Sequence, residues 1–426
     1  MLPPNHALRS ELNDEVHARP SDSLRAPLRV SYLALLSEPG SRQAEWEHVG
    51  QLVRRFGGQT PERISNHFSA DLGGFSIRWE RHAEYTRYTF TVPGAFSDPF
   101  AVTALSAVPD EWLSGIKGQI IVASNGAILD PSAGSDDFDE VASRWFDNNV
   151  LVGSRVGDSS ATALTDFRVG ADGFSRFLLI DRHMTARQAG RIVQRILEID
   201  TYRMMALLAL PVAQSLAPLI TGYERELSEV TTVLESANDA DEAGLLDRLT
   251  RLEAQIESGG AENHYRFGAA AAYYELVQRR IADLREVRIP GLQTFGDFTE
   301  RRLAPAMHTC RAVAGRQESL SQRVARANQL LATRVDLTRE RQNQALLESM
   351  NRRARAQFKL QQTVEGLSIA AITYYVVGLI GYIAKGLKAL GWNVNYELAT
   401  ALSIPVVVGL AAFGIHHVRQ TVTRTD

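Results

Sequence analysis

The chain has 426 residues, of which 45% are hydrophobic and 22% charged, a composition typical of folded proteins that excludes a disordered or collagen-like chain. The net charge of −3 conceals an uneven distribution, because residues 1–299 carry 29 basic and 41 acidic side chains whereas residues 300–360 carry 13 and 5. A basic segment directly before an apolar one is typical of contact with phospholipid headgroups, so we expect a lipid bilayer, and no nucleic acid, as partner.

Residues 1–184 mix strand and helix patterns. Apolar, β-rich runs bounded by Gly and Pro turns alternate with one stretch of clear helical spacing. The strand-like runs cover residues 28–36, 75–79, 85–92, 118–123, 150–156, 161–169 and 174–180, and the helical pattern covers 43–56. This region is predicted to be an α+β cytoplasmic domain with a largely antiparallel sheet and helices.

Helical patterns dominate from Thr185, which has the properties of a helix N-cap. Residues 199–219 are apolar enough to suggest a membrane span, but Asp200, Arg203 and Pro211 lie within them. A buried core helix interrupted at Pro211 is therefore the preferred interpretation. With further helices predicted at 221–257 and 262–288, residues 185–294 form a helical domain.

Residues 295–362 are predicted to be one long stalk helix. Its apolar residues Val313, Leu320, Val324 and Leu331 recur at spacings typical of a coiled coil. A helix of this length needs partner helices or copies of itself to cover its apolar seam. We therefore expect a homo-oligomer.

Residues 363–426 contain two uncharged apolar segments, 367–384 and 398–415. Each is close to the length needed to cross a bilayer, and a two-helix transmembrane hairpin is favoured over a buried hairpin of a soluble protein. Basic residues such as Arg352 and Arg353 precede the first segment, and Arg419 follows the second. The positive-inside rule then predicts that both termini lie in the cytoplasm.

Compartment and reaction class are constrained mainly by what the sequence lacks. Cys310 is the only cysteine, which excludes an intrachain disulfide and fits a reducing environment. The sequence contains no P-loop, GxGxxG, HExxH or GxSxG motif. We therefore expect a multi-pass protein of the bacterial inner membrane that is not an enzyme and uses no cofactor.

Two clusters in the cytoplasmic domain are candidate sites. His17 and Arg19 lie in a run dense in groups that could bind a cation or a phosphate, although a helix-end hydrogen-bond network is the more common role. Glu80, His82 and Glu84 alternate along a predicted strand and so share one face, for which a solvated surface is the ordinary expectation.

The hairpin holds the other candidate residues. Tyr374, Gly378 and Gly381 fall on one stripe of the first apolar helix, where small residues permit close packing, either between helices or around an axial path. Beyond that helix, Gly391 and Asn393 belong to a group of amide and carboxylate oxygens that could hold a hydrated cation.

Four stretches resemble a bacterial family of predicted membrane-anchored proteins, the domain-of-unknown-function 3422 family. They are 14–20 (DEVHARP), 79–82 (WERH), 198–203 (EIDTYR) and 363–368 (TVEGLS). This resemblance spans nearly the whole chain and implies no activity.

The layout is also similar to that of CorA-type divalent-cation channels, in which an α/β domain and long stalk helices precede two spans with a Gly-Met-Asn motif. Here the motif reads Gly391-Trp392-Asn393, with tryptophan in place of methionine. The likeness implies an oligomeric ion channel or transporter with metal ions as partners. The alternative is a non-conducting membrane-anchored scaffold or interaction protein.

Overall fold

A computed structural model describes residues 5–9, 13, 22–60, 64–132, 134–236, 241–391, 393 and 395–422. Within these residues the chain forms nine strands and ten α-helices. It divides into two compact units, Met1–Ser236 with Asp247–Asn328 and Ala237–Leu246 with Gln329–Asp426. The four-part division at residues 184, 294 and 362 stays a prediction.

The first unit is built on a nine-stranded mixed sheet with the order β2-β3-β4-β1-β5-β8-β7-β6-β9. Among the described strands, β5 and β8 form the one parallel pair and all other neighbours are antiparallel. The strands are β1 (Leu28–Leu36), β2 (His67–Asp71), β3 (Ser76–Arg81), β4 (Tyr85–Pro93), β5 (Gln119–Leu129), β6 (Val152–Val156), β7 (Ala161–Thr165), β8 (Ser175–Asp181) and β9 (Val287–Arg288). The predicted N-terminal sheet with helices is therefore present.

Short helices cover one face of the sheet. They are α1 (Arg42–Arg55), α2 (Asp110–Ser114) and α3 (Phe138–Trp145). Because side chains alternate along a strand, Trp79 of β3 and Tyr88 of β4 point to this face and join Trp46 of α1 in one core cluster. Trp79 is 0% exposed, and the rings of Trp46 and Trp79 lie 5.7 Å apart. This aromatic packing attaches α1 to the sheet.

The opposite face is covered by α4 (Ala186–Leu207), and α7 (Gly260–Leu284) packs against α4. Thr185 caps α4 as expected, because its hydroxyl accepts from the amide of Gln188, whose side chain accepts in turn from the amide of Thr185. The predicted proline break is present. The helix is interrupted at Leu208, one turn before Pro211, because Pro211 has no amide hydrogen to donate to the carbonyl of Leu207, and Pro211 itself lies in the first turn of α5 (Ala209–Ser236).

The remaining helices are α6 (Glu242–Ser258), α8 (Phe295–Arg302), α9 (Ala304–Ala389) and α10 (Tyr396–Val422). The predicted helix at 221–257 is described as two helices, one on each side of residues 237–240. The predicted stalk helix, residues 295–362, also differs from the structure. The helix α8 ends at Arg302, and α9 runs past residue 362 through the whole first apolar segment.

The start of the predicted stalk seam is covered within the chain itself. Val313, Leu320 and Val324 are at most 5% exposed. Hydrogen bonds join this part of α9 to the neighbouring helices, from Arg316 to Glu224 of α5 and from Ser321 to Glu257 of α6. These residues of the seam therefore need no second copy of the chain to bury them.

Candidate functional site

A buried ionic network lies between the sheet and α4. It consists of two carboxylates held by three guanidinium groups, with two further carboxylates at its edge, namely Asp22, Arg78, Glu80, Arg87, Glu198, Arg280 and Asp283. The two strands β3 and β4 supply Arg78, Glu80 and Arg87 from the face opposite the aromatic core, because these residues alternate with Trp79 and Tyr88. The network thus ties the hairpin of β3 and β4 to α4 and α7.

Arg87 is the centre of the network and is 4% exposed. Its Nε donates to Glu80 at 2.5 Å, and its Nη1 donates to Glu198 at 3.3 Å. Glu198 also accepts from Arg280 and from Gln194. Every charge of this centre therefore faces an opposite charge, as buried ionised groups require.

Glu80 is the predicted site residue that the network contains, and it is 1% exposed. The solvated face expected there is therefore wrong, because α4 covers this face of the sheet. Burial by itself would raise the pKa of Glu80, but the charge of Arg87 and the hydrogen bonds from Arg87 and Arg78 outweigh burial and lower that pKa to about 2. A carboxylate held ionised in this way is a poor general acid or base at neutral pH.

His82 and Glu84 lie in a different setting from Glu80. The strand β3 ends at Arg81, so both residues belong to the turn between β3 and β4. The ring of His82 stacks on Tyr85 with the centroids 4.4 Å apart, and Glu84 accepts from Arg266 of α7. The predicted common face is therefore interrupted at the turn. His17 and Arg19 lie outside the described residues.

A second polar cluster in this layer centres on Asp200 of α4. Its Oδ2 accepts from the hydroxyls of Ser124 and Ser175 at 3.1 Å each, and its Oδ1 accepts from Arg203. From the sequence, Asp200 was notable only as an obstacle to a membrane span. The signal that could have located both clusters is the presence of Glu198 and Asp200 among the apolar residues Ile196, Leu197 and Ile199 of α4, since buried carboxylates need partners.

The hairpin of the second unit carries the other predicted residues. The helices α9 and α10 pack antiparallel. Gly381 of α9 lies against Thr400 of α10, and Lys385, further along α9, lies over the ring of Tyr396, which comes earlier in α10. A Cβ atom at Gly381 would lie 3.2 Å from Thr400 Oγ1, whereas a Cβ atom at Gly378 would meet nothing within 4 Å. A cavity of about 1060 Å³ between the two helices is lined by Tyr374, Gly378 and Gly381 among others.

Most large apolar side chains of the hairpin are exposed. Tyr374 is 77% exposed, and the others with more than half of their surface exposed include Leu367, Tyr375, Leu379, Tyr382, Ile383, Leu398, Leu402, Val406, Leu410 and Phe413. Three described helical stretches are long and apolar enough to cross a membrane by length and composition: Ala186–Glu235, Phe295–Ala389 and Tyr396–Gly414. In the most apolar window of the first, 28% of residues are buried, against 6% in each of the other two.

Gly391 and Asn393 lie just beyond the end of α9. The helix continues through Lys385 and Lys388 to Ala389, and Gly391 then takes a positive φ of 89°, a conformation that favours glycine after a helix. Asn393 is exposed. Among the described residues, no group of three or more His, Cys, Asp or Glu side chains is arranged to hold a metal ion.

Comparison with known proteins identifies one family. The family model described as a protein of unknown function (DUF3422) matches residues 4–422. None of the curated proteins and none of the solved structures compared with the chain matches it, and the likeness to CorA-type channels gains no support. Because the family match covers nearly the whole sequence, this protein belongs to the DUF3422 family.

Proposed function

We propose that this protein is a scaffold of the bacterial inner membrane, anchored by the hairpin of α9 and α10, with its N-terminal α+β domain and both termini in the cytoplasm. The observation that carries this proposal is the exposure of apolar side chains around both hairpin helices. In the most apolar window of each helix, 6% of the residues are buried. An apolar surface of this extent in water would drive association, whereas hydrocarbon tails cover it at no cost.

The basic end of the stalk supports the orientation. Arg352, Arg353, Arg355 and Lys359 are exposed on α9 directly before the apolar segment. Such residues prefer the cytoplasmic side and the anionic headgroups found there. Exposed apolar residues on the same stretch, including Leu346, Leu347, Met350 and Phe358, support self-association of this part of α9 in a homo-oligomer.

Anchoring is tested by flotation of membranes from expressing bacteria after a wash with alkaline carbonate. The full chain is expected to float with the lipid. In the matched variants, Leu379 and Val406, each 60% exposed, are both changed to Arg or both changed to Ile. The Arg variant should leave the floating fraction, because each Arg near the centre of a span costs about 3 kcal/mol of insertion free energy, and the Ile variant should remain.

A wild-type chain that carbonate releases would contradict the anchor. Orientation is read in the same cells, since protease added outside intact spheroplasts should leave the cytoplasmic domain uncut. Cleavage of that domain from outside would contradict the proposed orientation and leave the anchor intact.

Conduction of divalent cations is the second candidate function. It is favoured by the continuation of α9 to Ala389, which brings Gly391 and Asn393 to the helix end, and by the open surface at Gly378. Two features favour the scaffold instead. Gly381 packs against Thr400 of its own chain, and Lys385 and Lys388 place positive charge beside the end of the helix.

Flux into liposomes decides between the two functions. If the protein conducts, Mg²⁺ uptake into proteoliposomes should exceed that of empty liposomes and should fall severalfold in Asn393→Ala, while the nearby Asn395→Ala retains it. Light scattering in detergent gives the number of 47.1 kDa chains in each particle. A dimer without flux would contradict the channel function and leave the scaffold as the proposal. Flux that is unchanged in Asn393→Ala would contradict the assignment of Asn393 to the conduction path.

A further inference from the structure

A cavity of about 520 Å³ opens between three helices of the first unit, α6, α7 and the start of α9. Its floor is apolar and buried, with Phe267 at 8%, Met307 at 4% and Cys310 at 4% exposure. Its opening carries polar side chains from all three helices, namely Glu257, His264, Arg311, Gln317, Glu318 and Ser321. The cavity therefore has an apolar interior and a charged rim.

Small residues leave this space open. Gly260, Gly268, Ala270, Ala271 and Ala314 line it, and a Cβ atom added at Gly268 would meet nothing within 4 Å. The cavity is open to solvent on one side, so a ligand could enter it from outside. Its volume and its mostly apolar lining are those of small-molecule sites, which measure roughly 300–1,000 Å³.

The charges at the rim differ in how well they are satisfied. Glu257 accepts from the hydroxyl of Ser321 at 2.7 Å, and Glu318 accepts from the amide of Gln322 at 2.6 Å. Arg311 is exposed, and no ion pair or hydrogen bond among the described residues uses its guanidinium. A guanidinium binds a carboxylate through two parallel hydrogen bonds, so it is the rim group best suited to hold an acidic ligand.

We propose that this cavity binds a small apolar carboxylic acid, with its hydrocarbon body against Phe267, Met307 and Cys310 and its carboxylate on Arg311. The two carboxylates at the rim disfavour ligands with several negative charges and so favour a monocarboxylate. The site is independent of the hairpin, because all of its lining residues belong to the first unit.

Cys310 makes the proposal measurable in the full chain, since it is the only thiol of the sequence and lines the cavity. In mild detergent, 2,2′-dithiodipyridine should form a mixed disulfide with Cys310 and release pyridine-2-thione, which is followed by absorbance. Burial raises the pKa of the Cys310 thiol, so all variants are compared at one fixed pH above neutrality. The monocarboxylate 1-naphthoate should slow this reaction in a saturable manner.

The concentration of 1-naphthoate that gives half protection is the quantity to compare, because it does not depend on the intrinsic reactivity of each variant. Arg311→Gln should raise it about tenfold or more, the usual effect of losing a hydrogen bond between charged groups. Arg323→Gln, at an exposed arginine of α9 outside the cavity, should leave it unchanged. Neutral 1-naphthalenemethanol should protect wild type and Arg311→Gln alike.

Gly268→Leu provides an independent test of the cavity itself. The added side chain enters open space and replaces a glycine inside a helix, so the fold should tolerate it while the cavity fills. We expect this variant to lose protection by both naphthalene compounds. Absence of protection in wild type would overturn the binding site, and equal protection by 1-naphthoate in wild type and Arg311→Gln would overturn the carboxylate class.

Discussion

Replacing Arg87 with Met is expected to lower the free energy of unfolding by about 3–5 kcal/mol, because Glu80 and Glu198 would remain buried without their shared cation. Urea unfolding of the full chain in detergent, followed by tryptophan emission, measures this loss. Four of the five tryptophans, Trp46, Trp79, Trp112 and Trp145, lie in the unit that contains the network. The signal therefore reports the part of the chain that the substitution affects.

Two further variants separate a network effect from a general loss of packing. Arg155→Met, at an exposed position of β6, should change the free energy of unfolding by less than about 0.5 kcal/mol. Adding Glu80→Gln and Glu198→Gln to Arg87→Met should recover part of the loss, because the unpaired charges disappear with their partner. A loss below about 1 kcal/mol for Arg87→Met alone would mean that the network contributes little.

Much of the fold could be predicted because its signals are local. The strand β1 occupies residues 28–36 as its apolar run indicates, and the cap at Thr185 needs only Gln188 three residues later. The strands that sequence analysis missed are β2 and β9. β9 has two residues and both are exposed, so it carries no apolar pattern to recognise. Only its partner β6, more than 130 residues earlier, defines it as a strand.

The burial of Glu80 could not be predicted in the same way. The stretch from Trp79 to Glu84 alternates like a strand with one wet face, and the local pattern is the same whether or not a helix covers that face. What covers it is α4, whose Glu198 shares Arg87 with Glu80 and lies 111 residues from Arg87. Contacts at that separation leave no periodic signal near Glu80, which explains why a solvated face was expected.

For the hairpin, the local sequence predicts the apolar segments but not what surrounds them. The two apolar segments follow from composition alone. The continuation of α9 through Lys385 and Lys388 does not, because Gly386 is a poor helix former and lies between these two lysines. What covers these helices is decided by the surroundings. Gly381 contacts Thr400 and so uses one part of the small-residue stripe, whereas a Cβ atom at Gly378 would meet nothing within 4 Å.

Acid should remove the stabilisation that Glu80 provides, and the sign of this effect follows from its lowered pKa. An unfolded glutamate has a pKa of about 4.3, whereas Glu80 in the fold titrates at about 2. The unfolded chain therefore takes up this proton first as the pH falls. The contribution of Glu80 to the free energy of unfolding, about 3 kcal/mol, is fully present above about pH 5 and is lost between about pH 5 and pH 2.

Because other carboxylates titrate in the same range, the difference between wild type and Glu80→Gln is the informative quantity. Glu80→Gln should unfold more easily than wild type at pH 7, and the gap should shrink by at least 1 kcal/mol by about pH 3, since the shift amounts to roughly 1.4 kcal/mol for each pKa unit. Glu262→Gln, at an exposed position of α7, should follow wild type throughout. A gap that stays constant from pH 7 to pH 3 would show that Glu80 stabilises the fold by shape and hydrogen bonding. A shrinking gap would show instead that the negative charge held between Arg87 and Arg78 provides the stability.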